Sequence, residues 1–340
     1  MGKVYAHWFD KNPHCTVAGL YNRTLSRAEE LKKEYTESNV YHRWEDLISD
    51  KSIDIIGICT PSHEHLAQFS LATRNYKHVL CEKPMANDIH QCKKMVDLGR
   101  EYNGKYMVGF QMRFHPVIEK VNELLSSIGE VFHIDFIFGM YRPEITWRHK
   151  LIEGGGVLKE LTSHLFDLCY CWVGELKSIQ GLNRVIEKKR EVEDYSLNIM
   201  EFKNGASGFI SSNYQDRRSR LIQGNILGRV GQISFQFSSY NVEDSKVMLF
   251  NDKYKSGRTI DIEIPREVDI VYPGHLGSFK KEIDHFIDCI LHEREPLVTL
   301  EDGLRALEIV DASYESTRIG KKIEFPFTDF DVRNLERCYS

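Results

Sequence analysis

The run Ile53–Cys59 (IDIIGIC) is apolar at nearly every position. A strand of that kind needs cover on both faces, and parallel sheets lying between helical layers supply it. Its surroundings fit the same architecture. Lys3 to about Asp10 reads as the end of a short helix, Cys15–Tyr21 (CTVAGLY) as a buried strand and Ser26–Tyr35 as a helix. A short extended piece at Val40–His42 leads into a helix over Glu45–Ser49. Thr60-Pro61-Ser62 ends the apolar strand and is expected to cap a helix over Glu64–Arg74. His78–Cys81 and Lys105–Phe110 read as further strands, separated by a helix over Asp88–Tyr102 with its own N-cap. Strands alternating with helices predict an α/β domain with a doubly wound parallel sheet of the Rossmann type.

The texture changes after Arg113. A helix over Pro116–Leu125 ends at Gly129, Val131–Gly139 alternates as a half-buried strand does, and a helix is expected over Gly156–Tyr170. From Leu176 to Ile264 come strand candidates joined by turns: SIQGLNRV, YSLNIMEF, ASGFISSN, RLIQGNIL, GQISFQF, KVMLF and IDIEI. They suggest a mostly antiparallel sheet solvated on one face. Helices near Leu276–His292 and Leu300–Thr317 complete an α+β domain. The expected division is 1–113 for a dinucleotide-binding domain, 114–330 for a substrate and oligomerisation domain, and 331–340 for a tail.

The first strand of a doubly wound nucleotide-binding domain and its G-x-G-x-x-G turn are not seen. Met1-Gly2-Lys3-Val4 resembles the tail of such a turn, with Gly2 as its third glycine. The expectation is a sequence that begins one strand late through a misassigned start, with CTVAGLY and IDIIGIC flanking a gap of ~10 Å. Real loss of the dinucleotide site is the rival.

Composition closes several classes. At 340 residues two domains are favoured, and a net charge of -5 provides no basic face for nucleic acid. No stretch approaches the ~18 apolar residues of a membrane span, and the N-terminus lacks the apolar core of a signal peptide. The eight cysteines form no C-x-x-C pair, so reduced thiols and a cytoplasmic location are expected. His63 and His65 flank Glu64 without a third suitably spaced ligand, and no metal is expected.

Two stretches carry chemistry. Cys81-Glu82-Lys83-Pro84 falls where a parallel strand ends, and ligands bind beyond the carboxyl ends of such strands; a plain surface lysine beside a turn proline is the bland alternative. In Gly154-Gly155-Gly156-Val157-Leu158-Lys159-Glu160-Leu161-Thr162-Ser163-His164-Leu165-Phe166-Asp167, Glu160 and His164 share a helix face and Asp167 lies close to it. Alone, that pair more often marks a satisfied helix surface. With Lys83, a reaction centre is favoured.

Thr60-Pro61 with His65, Glu82-Lys83-Pro84, Arg113 at the domain seam and the glycine-rich helix with His164 and Asp167 resemble the glucose-fructose oxidoreductase, inositol dehydrogenase and MocA family over nearly the whole chain. The departures are Glu160 in place of the family's usual aspartate and Thr162 in place of a glycine. The resemblance implies a cis Lys83–Pro84 peptide and hydride transfer between a nicotinamide and a secondary alcohol or carbonyl of a sugar, sugar derivative or cyclitol. His164 would act as general base or acid, Lys83 would stabilise the alkoxide-like oxygen, and Glu160 would orient one of them. The expected cofactor positions are Gly2, Asn22, Arg23, Thr24, Thr60, Pro61, His65, Glu82, Lys83, Arg113, Trp147 and Arg148. NADP is slightly favoured over NAD, since Tyr21-Asn22-Arg23-Thr24 holds an arginine and no carboxylate.

Substrate contacts are expected from Lys83, Arg113, Glu160, His164, Tyr272 and His275, although Trp147 as core and His275 as a helix cap are equal alternatives. Arg217, Arg218 and Arg220 read as a solvated strand end more than as a phosphate site. A homo-oligomer, dimer or tetramer, is expected through the second sheet. The other function classes are a dinucleotide-sensing regulator without turnover and a degenerate protein without cofactor. Retention of both Lys83 and His164 argues against the regulator, and the absent glycine loop is the main support for the degenerate protein.

Overall fold

The computed structural model describes residues 1–142, 150, 155–218, 220–238, 241–263, 265 and 273–327. Trp147, Arg148, Gly154, Ser219, Tyr272 and the tail 331–340 lie outside the described residues. The chain forms two compact units, Met1–Phe110 with Phe279–Leu304, and Gln111–Ser278 with Arg305–Ser340.

The first unit alternates as expected: α1 (Gly2–Lys11), β1 (Gly19–Tyr21), α2 (Leu25–Lys32), β2 (Asn39–Tyr41), α3 (Trp44–Ser49), β3 (Ile55–Ile58), α4 (Ser62–Arg74), β4 (His78–Glu82), α5 (Ile89–Glu101) and β5 (Tyr106–Gly109). All pairings are parallel, in two sheets: β1 with β2, and β3–β4–β5 with β4 central. Among the described residues no strand joins the two sheets. β4 is the buried centre, with Val79, Leu80 and Cys81 fully covered. α1 packs on β3, and a Cβ at Gly57 would lie 3.3 Å from the Tyr5 ring and 3.8 Å from Phe9. Of CTVAGLY only Gly19–Tyr21 is strand, because its single ladder partner, β2, is equally short.

The expected cap of α4 is corrected. The N-cap is Pro61, which has no side-chain donor or acceptor, while Thr60 Oγ1 turns to Gln68 Oε1 at 2.8 Å. α5 carries the cap foreseen, Asp88 accepting from the Gln91 amide at 2.8 Å. The first unit is completed from far downstream by α8 (Ser278–Leu291) and the first turn of α9 (Leu300–Ile319). The Val108 amide donates to Val298 O at 3.3 Å. Gly303 backs on β5 so closely that a Cβ would stand 2.8 Å from Met85 Sδ and 2.9 Å from Val108 Cγ2.

Among the described residues, the second unit is built on a nine-stranded sheet. Its strands are β6 (Val131–Gly139), β7 (Leu176–Arg184), β8 (Tyr195–Phe202), β9 (Ser207–Asn213), β10 (Leu221–Gly228), β11 (Gly231–Ser238), β12 (Lys246–Asn251), β13 (Arg258–Ile260) and β14 (Ile323–Glu324). The order is β13-β12-β11-β10-β6-β9-β8-β7-β14, antiparallel except for the β6–β9 pair. Period-two alternation sends Ile134, Phe136, Phe138, Met200, Ile210 and Phe235 into the core. α6 (Pro116–Leu124) and α7 (Ser163–Val173) pack against the sheet.

Two boundaries differ from expectation. The strand expected at IDIEI is Arg258–Ile260 instead, because its antiparallel pairing with β12 reaches Val247 at Ile260 and β12 then runs out. The helix foreseen over Gly156–Tyr170 opens as a π turn over Leu158–Thr162 before α7 begins.

Candidate active site

In the first unit the chemistry-bearing residues gather at the carboxyl ends of β3 and β4. Lys83 follows β4 directly, and the Lys83–Pro84 peptide is cis. His65 on α4 is 1% exposed and ties the two strand ends together. Its Nε2 lies 2.8 Å from Thr60 O, and its Nδ1 lies 3.2 Å from Met85 O and 3.4 Å from Cys81 Sγ. Burial lowers its pKa against the pull of those carbonyls. Glu82 is buried at the end of β4 with its Oε2 accepting the Lys83 amide N–H at 3.2 Å. Burial raises its carboxyl pKa, and the Lys83 charge is the chief influence opposing that rise.

Gly2 opens α1, where a Cβ would meet only Cys59 Cβ at 4.0 Å. No side chain of the described residues caps that helix, and its first turn has no acidic residue. Asn22, Arg23 and Thr24 follow β1 on the surface, Asn22 Oδ1 accepting the Thr24 amide at 2.9 Å.

In the second unit, Arg113 and Asp167 form a forked pair: Nε to Oδ2 at 2.8 Å and Nη2 to Oδ1 at 2.5 Å. Their side chains are 10% and 3% exposed, so the pair anchors α7, the helix that carries the buried His164. Glu160 sits in the π turn with both oxygens engaged. Oε1 pairs with Arg142 Nη1 at 3.2 Å, and Oε2 accepts from Tyr214 Oη at 2.5 Å. The Arg142 and Arg190 guanidiniums each lie 5.4 Å from the Tyr214 ring centroid.

The turn itself is set by Glu193. Its Oε1 accepts the Leu158 amide at 2.8 Å, and it lies so close to Gly156, at φ 114, that a Cβ there would collide with Oε1. The regular helix spacing expected between Glu160 and His164 therefore gives way to a π turn, a feature common at functional sites.

His275 is 2% exposed in a turn over Pro273–His275. Burial first, then Arg220 and His115, push its pKa well below the usual value, so it is held neutral. His115 Nε2 contacts Gly274 O at 3.1 Å, and its ring stacks on Phe237 at 4.1 Å. Arg218 pairs with Asp216, and Arg217 lies 4.5 Å over the Tyr141 ring. Among the described residues no group of three or more His, Cys, Asp or Glu side chains is placed to hold a metal, and the seven described cysteines form no disulfide with one another.

Sequence reasoning missed Tyr5, Arg142, Glu193 and Tyr214. Arg142 and Tyr214 follow strand ends and carry no motif. Tyr5, three residues after Gly2 on a short helix, was the legible one.

A parallel α/β unit joined in one chain to an α+β unit is the build of many two-unit nucleotide-binding oxidoreductases. The family model described as an oxidoreductase family with an NAD-binding Rossmann fold matches residues 1–110, and its companion, a C-terminal alpha/beta domain, matches 122–325. The chain belongs to this Gfo/Idh/MocA oxidoreductase family. It is 25% identical to scyllo-inositol 2-dehydrogenase (NAD(+)) of Bacillus subtilis over 91% of this chain and 87% of that protein. It is 22% identical to D-xylose 1-dehydrogenase (NADP(+)) 2 of Haloferax volcanii over 91% of each. The fold is similar to that of a levoglucosan dehydrogenase solved with NADH and levoglucosan, with a TM-score of 0.86, 21% identity and coverage of 96% of this chain and 97% of that one. The protein is an NAD(P)-dependent oxidoreductase. No described helix is long and apolar enough to cross a membrane.

Proposed function

We propose that the protein oxidises a secondary alcohol, or reduces the corresponding carbonyl, on a sugar, sugar derivative or cyclitol. The placement of Lys83 directly beyond the carboxyl end of the central parallel strand carries this reading, because that is where such sheets bind ligands. Dehydrogenases named for inositol and xylose among the relatives support the substrate class.

The nicotinamide, when bound, supplies the hydride acceptor or donor. The N-terminal turn of α1 at Gly2 is the place for its pyrophosphate, with Thr60, Pro61 and Glu82 at the neighbouring strand ends. Arg23, exposed after β1 with no carboxylate beside it, favours NADP. Arg113, as the forked partner of Asp167, holds the second unit's helix in place for cofactor and substrate alike.

His164 takes the hydroxyl proton during oxidation and returns it during reduction, a task suited to an imidazole of ordinary pKa ~6.5. Lys83 donates a hydrogen bond to the same oxygen as negative charge develops on it. Glu160, with both oxygens held by Arg142 and Tyr214, is fixed in place to orient the helix start ahead of His164. His275 is a neutral substrate-side group. A homo-oligomer and a reducing, cytoplasmic setting complete the reading.

A screen of sugars and cyclitols by nicotinamide absorbance tests it. Lys83→Ala and His164→Ala are each expected to lower kcat by ~100-fold or more while cofactor still quenches protein fluorescence. Full turnover in both variants removes the mechanism.

A further inference from the structure

The first unit contains a buried phenol and carboxyl that hydride transfer does not itself use. Tyr5 of α1 is 3% exposed and Glu82 of β4 is 7% exposed. Gly109 of β5 is the register partner of Glu82 and lies beneath both. A Cβ there would stand 2.7 Å from Tyr5 Oη and 3.4 Å from the carboxyl carbon of Glu82, so only glycine leaves room for the two to approach. Glu82 Oε2 accepts the Lys83 amide N–H. Neither Glu82 Oε1 nor Tyr5 Oη completes a hydrogen bond of ordinary geometry, yet the carboxylate is the strongest charge acting on the phenol. Two buried polar atoms so placed are each other's natural partners.

We propose that Tyr5 is a positioning residue for Lys83: its hydroxyl donates to Glu82 Oε1 and steadies the carboxylate whose other oxygen holds the Lys83 amide. The consequence for turnover rests on the role given to Lys83 above; the pairing itself does not. Burial drives the phenol pKa well upward, so Tyr5 stays protonated and acts as donor. The other ionisable groups acting on the pair are Lys83, Cys59 at the end of β3, Glu282 of α8 and the Met1 amino group. Lys83 favours the ionised form of Glu82, so by reciprocity an ionised Glu82 favours the ammonium form of Lys83, the form able to donate to a developing alkoxide. Without the phenol the carboxyl takes up its proton more readily, and the amine loses that support.

Limited acetylation of the full chain with acetic anhydride at pH 8, quantified at Lys83 by mass spectrometry, reads the amine without any substrate. Tyr5→Phe and Glu82→Gln, both nearly isosteric, are expected to acetylate several-fold faster at Lys83 than the parent, with exposed Lys51 unchanged as an internal reference. Gly109→Ala should give the same rise alone, and none on top of Tyr5→Phe, where the hydroxyl its methyl collides with is gone. In turnover, Tyr5→Phe should lower kcat roughly tenfold with KM within about threefold. Unchanged acetylation of Lys83 in both Tyr5→Phe and Glu82→Gln overturns the proposal. Faster acetylation together with full activity of Lys83→Ala upholds the pairing and overturns instead the catalytic role of Lys83.

Discussion

His275 shows how one residue's surroundings fix its chemistry. Buried beside Arg220 and His115, it is held neutral in the fold, its pKa well below the ordinary ~6.5 of an unfolded chain. The unfolded chain therefore binds the extra proton first. Stability contributed by the neutral ring is complete above about pH 6.5 and is lost as pH falls from there toward the folded-state value. Urea unfolding between pH 8 and 5 should show this loss, and His275→Gln should flatten it. An equal acid limb in the variant would exclude His275 as its source. The histidine was visible in the sequence, but the burial that chiefly holds it neutral, and the Arg220 charge that adds to it, come from the packing of distant segments. The same holds for Glu160: a carboxylate four residues before His164 is plain in the sequence, whereas Arg142 and Tyr214, which occupy both its oxygens, are not.

At the scale of elements, local chemistry was most readable where a cap or a period decides the outcome. Asp88 caps α5 through the Gln91 amide, and Gln91 Nε2 returns a bond to Asp88 Oδ2 at 2.9 Å. Asp88→Ala should cost about 1 kcal/mol, measured as a lowered urea midpoint with an unchanged slope; no change would mean that the helix is held by packing alone. Where long-range partners decide, reading failed. The π turn at Leu158–Thr162 exists because Glu193 binds the Leu158 amide and Gly156 adopts φ 114, and neither event leaves a local pattern. Thr60-Pro61-Ser62 looked like a cap, but Thr60 had a better partner in Gln68.

Across the whole molecule, the outer face of the second unit's sheet remains to be covered. Ile137, Leu182 and Ile199 are 37%, 39% and 55% exposed there, and register places Ile137, Ser211, Leu197 and Leu182 in one row across β6, β9, β8 and β7. Under the homo-oligomer proposed above, a second copy of the chain covers this face. Sedimentation velocity should find an oligomer that Ile199→Asp dissociates without unfolding; a monomeric parent would remove the idea. The sequence by itself determined the order and type of most elements, the parallel and antiparallel halves and the Lys83 and His164 motifs, because periodicity, caps and turn residues are written within a few positions; the π turn at Leu158–Thr162 and the edge strand β14 were not among them. Tertiary structure alone decided that Phe279–Leu304 packs with the first unit, that its strands divide between two sheets, and which groups surround Glu82, Glu160 and His275. Those outcomes depend on which distant segments can fill the same space and satisfy the same buried polar atoms, and no local pattern encodes that competition.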